Sequence, residues 1–187
     1  MADALDIHAL WSEAQGQAVP LHEAQRGTVQ RTLKADETAR ARIARALGLE
    51  SLGRLDAEMR VRPWLDGVEI DGRWTARVGQ VCGVTLEPFE TELQGDIHLR
   101  ALPEGSAALG GSGDSGGELD LDPDADDPPD VLEGDRIDLG AYVVEDLSLA
   151  IDPFPRKPGV AFSAPDQPGE PSPFAVLAKL KGRAPDA

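Results

Sequence analysis

Cys82 is the only cysteine of the 187-residue chain, and it stands in Gln80-Val-Cys-Gly-Val-Thr-Leu-Glu-Pro-Phe89. A thiol there could be a nucleophile, one ligand of a metal, or a core residue. A nucleophile needs a base beside it. The three histidines, His8, His22 and His98, are scattered, and none has ligand spacing with another or with Cys82. One cysteine also excludes an internal disulfide and an all-cysteine zinc site. A serine hydrolase would carry G-x-S-x-G, which is absent; Ser112 lies between glycines in a loop-like tract. The glycines at 110–117 have neither the preceding strand nor the following helix of a phosphate or dinucleotide loop. Carboxylates abound, yet no pattern buries a pair to split their pKa values. These residues point to a non-enzymatic protein without a cofactor.

The carboxylates are concentrated. Residues 104–138 hold twelve acids and one base, Arg136, within a chain of net charge −16. Such a block repels nucleic acid and attracts a basic partner, as an acidic adaptor or chaperone would, and its plainest role is that of a solvated loop. Counting from Asp122, the acids Asp122, Asp124, Asp126, Asp130 and Glu133 fall at positions 1, 3, 5, 9 and 12 of a calcium loop. Position 6, where that loop turns on glycine, is Asp127, and two prolines follow, so the chain offers at most a weak calcium module.

Positive charge gathers earlier, with eleven bases against eight acids over residues 26–77. Arg40, Arg42, Arg45, Arg54, Arg60, Arg62, Arg73 and Arg77 are therefore candidate contacts to RNA phosphates, set against the alternative of a solvated face. Eight aromatic residues in all are too few for a broad base-stacking platform.

The elements that would position these side chains are read from periodicity. Asp36 caps a helix over 36–47 with Ala39, Ile43, Ala46 and Leu47 on one face, closed by Gly48. From Arg54 to Arg62, Leu55, Ala57, Met59 and Val61 alternate with charged residues. Asp66-Gly67 reads as a two-residue type I′ turn. Val68, Ile70, Trp74, Ala76, Val78 and Cys82 then share one face of a second strand. Phe89, Thr91, Leu93, Ile97, Leu99 and Ala101 alternate with polar residues along a third. Asp138 caps a second helix over 139–151 carrying Leu139, Val143, Leu147, Ala150 and Ile151, ended by Asp152-Pro153. Ser172-Pro173-Phe174 opens a short C-terminal helix after a proline-rich tether.

The pattern predicts an α+β fold: an antiparallel β meander over about 51–102 packed by two helices, with an acidic disordered insertion and a short C-terminal helix. A short strand at 18–21 would extend the sheet or close it toward a barrel, and the pattern leaves both open. The chain reads as one domain overall, with segments 1–102, 103–135 and 136–187. No signal peptide or membrane span is evident, which points to the cytoplasm. On strand parity Cys82 projects into the core while His98 points the other way, so the two cannot form a catalytic pair, and burial should raise the thiol pKa.

Three blocks, "VCGVTLEPFE", "IDLGAYVVEDLSLAIDPFPRKPG" and "PSPFAVLAKLK", resemble the YceD-like family of large ribosomal RNA subunit accumulation proteins over roughly residues 50–181, in the wording of its alphaproteobacterial branch. The motif positions that carry the resemblance are Cys82, Thr85, Pro88, Phe89, Asp138, Leu139, Pro173 and Phe174. Many members of that family carry C-x-x-C before "PF", some with a further His or Cys after the long helix, a set that looks like a metal site. Here Thr85 replaces the second cysteine and Arg156 and Lys157 follow the helix, so the resemblance implies a lost metal. It also implies a role in large ribosomal subunit biogenesis, with ribosomal RNA or a basic ribosomal protein of the large-subunit precursor as partner. It supplies no mechanism and no oligomeric state.

Overall fold

The computed structural model describes Trp11, residues 18–109 and residues 128–162. Two compact units divide the chain, Met1–Lys157 and Pro158–Ala187. Of the second, the described residues 158–162 turn about Gly159, whose φ is 80°. The short C-terminal helix over 172–181, with Pro173 and Phe174, lies outside the described residues, as does the acidic tract over 110–127 with Asp122, Asp124 and Asp126.

The architecture is α+β. Strands β2 (Val29–Lys34), β3 (Ser51–Trp64), β4 (Gly67–Val81) and β5 (Pro88–Pro103) form an antiparallel meander, and β6 (Asp130–Leu132) adds to β5 in parallel. The resulting five-stranded sheet is mixed and open. β1 (Ala18–Pro20) neither extends it nor closes a barrel. It pairs with β7 (Arg136–Asp138) in a separate two-stranded ribbon.

Period-two patterning explains the long strands. Leu55, Ala57, Met59 and Val61 of β3 pair in register with Ala76, Trp74, Gly72 and Ile70 of β4, all on the inner face. Burying each larger apolar side chain contributes about 1.5–3 kcal/mol. β2 has the same logic, with Val29 and Leu33 buried beside Val61 and Ala57. Its alternation is blurred in the sequence because Arg31, half-buried, occupies the intervening inward position and bonds Glu23 at 3.0 Å.

The β3–β4 turn is one residue away from the expected one. Trp64 pairs with Gly67, so the loop is Leu65–Asp66, and Leu65 takes φ = 50°. Gly67 serves a different purpose: a Cβ there would collide with the Ala101 carbonyl of β5.

Three α-helices stand among the described residues of the unit. α1 (Leu21–Ala24) is a single turn. α2 (Glu37–Ala46) starts where Asp36 accepts the Ala39 N–H at 2.7 Å, ends before Gly48 at φ = 66°, and buries Ala39, Ile43 and Ala44 toward β3. Ala44 thus takes the core position expected of Ala46. α3 (Leu139–Ala150) starts where Asp138 accepts the Ala141 N–H at 3.1 Å. Each such cap stabilises by about 1 kcal/mol. α3 buries Leu139, Val143, Val144 and Leu147, while Ala150 is exposed. It lies on β5, and the Trp74 indole N–H donates to Asp146 at 2.6 Å. That contact passes over Gly95, where a Cβ would come within 2.5 Å of the Asp146 carboxylate. Among the described residues no helix is long and apolar enough to cross a membrane.

Candidate functional site

Cys82 closes β4 and begins a tight knuckle into β5. Its backbone N–H donates to the Glu87 carbonyl and its carbonyl accepts the Leu86 N–H, both at 2.9 Å. Leu86 is held at φ = 59° with its side chain exposed. Pro88 and Phe89 then open β5. The segment leaving α3 lies along this knuckle. Gln80 donates to the Asp152 carbonyl at 3.1 Å, Gly83 N–H to the Pro155 carbonyl at 2.9 Å, and Lys157 N–H to Cys82 Sγ at 3.4 Å. The Lys157 ammonium reaches Glu87 at 3.0 Å.

The thiol is fully buried, in keeping with its strand parity. Its acidity runs against the expectation. The Lys157 N–H, then the hydroxyl and N–H of Thr85, then Val84 N–H, favour the thiolate, and they outweigh the opposing desolvation, bringing the pKa from 9.0 down to about 6. Burial alone would have raised it. The largest of these donors, the Lys157 N–H, comes from a segment 75 residues away, and Thr85 and Val84 of the knuckle itself supply the rest.

This donor set does not fit a zinc ion. One sulfur, one hydroxyl and backbone N–H groups converge, and N–H groups have no lone pair to give. Arg156 is exposed and the Lys157 side chain is committed to Glu87. Among the described residues no three His, Cys, Asp or Glu side chains group as metal ligands. Of the calcium candidates, Asp130 lies in β6 and Glu133 in the turn after it, both exposed.

The arginines separate into two sets. Arg40, Arg42 and Arg45 lie on α2, where Arg40 donates to the Ala35 carbonyl at 2.7 Å and Arg45 is exposed. Arg54, Arg60, Arg62, Arg73 and Arg77 lie together on the outer face of the sheet. There cross-strand rows place Arg62, Glu69 and Arg100 side by side, then Arg60, Asp71 and His98, then Glu58, Arg73 and Asp96; Asp56 lies in the next row, and Arg54, Arg77 and Glu92 in the one after it. Six arginines thus face six carboxylates. Arg54 bonds Asp56 at 2.6 Å, Arg62 bonds Asp71 at 2.7 Å and Glu69 at 2.9 Å, Arg73 bonds Asp96 at 2.9 Å, and Arg77 bonds Glu92 at 2.9 Å. His98 lies on this outer face too, 2.8 Å from Asp71, across the sheet from Cys82. Burial would raise the Asp71 pKa, but hydrogen bonds from His98 and Arg62 and their charges win and lower it. The surface is balanced rather than basic, a property that the sequence-wide excess of bases over 26–77 concealed.

A second feature escaped sequence reasoning. Between β6, the β6–β7 turn and α3 lies a cleft of about 560 Å³ bordered by Asp130, Glu133, Asp135, Asp138, Glu145 and Tyr142, with Arg136 as its one base among the described residues. The acidic composition near 130–138 was visible, but the assembly with α3 was not. Burial first, then the charges of Asp130, Glu145 and Asp138, push the Tyr142 phenol up to about 12.

The family model described as "Large ribosomal RNA subunit accumulation protein YceD" matches residues 70–181, which include the knuckle, the cleft and α3. No curated protein and no solved structure matches the chain.

Proposed function

The chain belongs to the YceD family, and from that premise we propose that it is a non-enzymatic cytoplasmic factor that binds large ribosomal subunit precursors and so supports accumulation of large-subunit ribosomal RNA. The family match is the observation that carries this reading. The chemistry of the knuckle agrees with it. Its one thiol is buried beneath the segment that follows α3, and its donors are engaged in joining two parts of the chain rather than in facing a substrate.

Binding rather than catalysis is then the mode of action. A phosphate backbone approaching the outer sheet face would have to displace carboxylates from at least four arginines. Exposed pairs are individually weak, about 0.2–1 kcal/mol, but together they leave the face without net positive charge to steer RNA. A basic protein component of the precursor is therefore the favoured direct contact.

Sucrose-gradient sedimentation of the tagged full chain tests the reading. The protein should ride with large-subunit precursors and leave them at maturity. A protein found only at the top of the gradient, under gentle salt, would reject it.

A further inference from the structure

We propose that the open β6 edge of the sheet, with the acidic cleft beside it, is the docking site for an extended, Lys/Arg-rich segment of a basic protein. The inference rests on the binding-factor reading above and names the partner chemistry of that function.

Three observations converge on this place. β6 is the last strand of the sheet, so one side of its backbone pairs with β5 and the other has no strand beside it among the described residues. An unpaired edge offers a row of N–H and C=O groups, which an extended peptide satisfies by adding as a strand. Natural edges are blunted by short strands, charge or proline. Pro128 and Pro129 precede this one, so the strand that can pair is limited to Asp130-Val131-Leu132, on which Val131 is 53% exposed.

The cleft next to this edge, at about 560 Å³, has room for more than one side chain. Asp130, Glu133, Asp135 and Glu145 border it and outnumber Arg136. The charges come from three separate pieces of chain: the edge strand, the turn and α3. Asp138 is already spent on capping α3. The Tyr142 ring adds an aromatic face to which a guanidinium or ammonium is attracted. Val131 supplies apolar contact for the aliphatic stems of lysine or arginine.

The same features exclude other occupants. Phosphate is repelled by the carboxylates, which argues against RNA at this place. A metal ion would need three ligating groups drawn together, and the described residues form no such group. An extended segment with alternating cationic and apolar residues matches edge, charge and pocket at once, because alternate side chains of a strand point to the same side.

The test uses the purified full chain and a labelled peptide of alternating Arg/Lys and Val, read by fluorescence anisotropy. Two double variants carry the same change in net charge. Glu133→Lys/Glu145→Lys alters the cleft, and Glu90→Lys/Glu92→Lys alters exposed outer-face positions of β5. Circular dichroism confirms that both remain folded. Peptide affinity should fall at least tenfold in the cleft variant and by less than twofold in the outer-face variant, and a single-stranded RNA oligonucleotide should not displace the peptide. Equal loss in both variants would show attraction by net charge alone. No loss in either would place the peptide elsewhere. Absence of binding by the unmodified chain, or displacement by RNA, would equally overturn the proposal. Because co-sedimentation with precursors is read separately, failure of the peptide to bind while the protein still rides on precursors would remove the docking site and leave the binding-factor reading standing.

Discussion

Cys82 and Lys157 are joined across 75 residues of chain: the Lys157 backbone N–H donates to the buried sulfur at 3.4 Å, while the Lys157 ammonium pairs with Glu87 at the far end of the same knuckle, at 3.0 Å. A sulfur and its hydrogen-bond donors here hold the segment after α3 against the β4–β5 turn. Thr85 is a further donor to that sulfur.

Stability should therefore depend on pH through Cys82. Its folded pKa, about 6, lies below its ordinary value of 9.0. A group depressed in the folded state contributes stability that is fully present above the unfolded pKa and is lost as pH falls through the folded one. Melting temperature of the unmodified protein, relative to Cys82→Ala, should rise from about pH 6 to about pH 9 and level off above that. Calorimetry of both proteins across this window checks it, and a difference that stays flat would contradict the hydrogen-bonded thiolate.

Trp74 and Asp146 make the polar link between sheet and α3. Asp146→Ala strands the buried indole N–H and should cost about 1–3 kcal/mol in urea denaturation. Gly95→Ala should cost a similar amount by forcing these two groups apart, about 1–3 kcal/mol. A loss below about 0.5 kcal/mol in both would mean that the link is dispensable.

Much of this fold is written in period two. The inner faces of β3, β4 and β5, the burial of Cys82, the opposite placement of His98, and the Asp36 and Asp138 caps all follow from alternation and residue type. What does not follow depends on register and on distant chain. β6 is three residues of an acidic stretch and exists as a strand because it pairs with Ala101–Pro103. β2 is disguised by Arg31 at an inward position. Gly67 looked like a turn residue, and close approach of β5 is the actual reason for it. The candidate arginines were countable in the sequence, but apart from Asp56, two residues from Arg54 on β3, the carboxylates that bond the outer-face arginines lie on neighbouring strands, up to 23 positions away for Arg73 and Asp96.

Leu65 occupies a positive-φ turn position that favours glycine, and its side chain is 68% exposed, so it recovers nothing by burial. Leu65→Gly should raise stability by about 1 kcal/mol, seen as a higher melting temperature. A drop instead would assign Leu65 a packing role.

The balanced outer face makes a prediction about RNA. Arg60→Glu/Arg62→Glu/Arg73→Glu should leave retention on large-subunit precursors, and its salt dependence between about 50 and 200 mM, close to that of the unmodified protein. Weakened retention with a shallower salt slope would make this face the RNA contact after all.

The most direct measurement is depletion of the protein in its host, followed by quantitation of mature large-subunit ribosomal RNA relative to small-subunit RNA. The account predicts a selective fall in the large-subunit species, restored by the full chain. An unchanged ratio after complete depletion would contradict it.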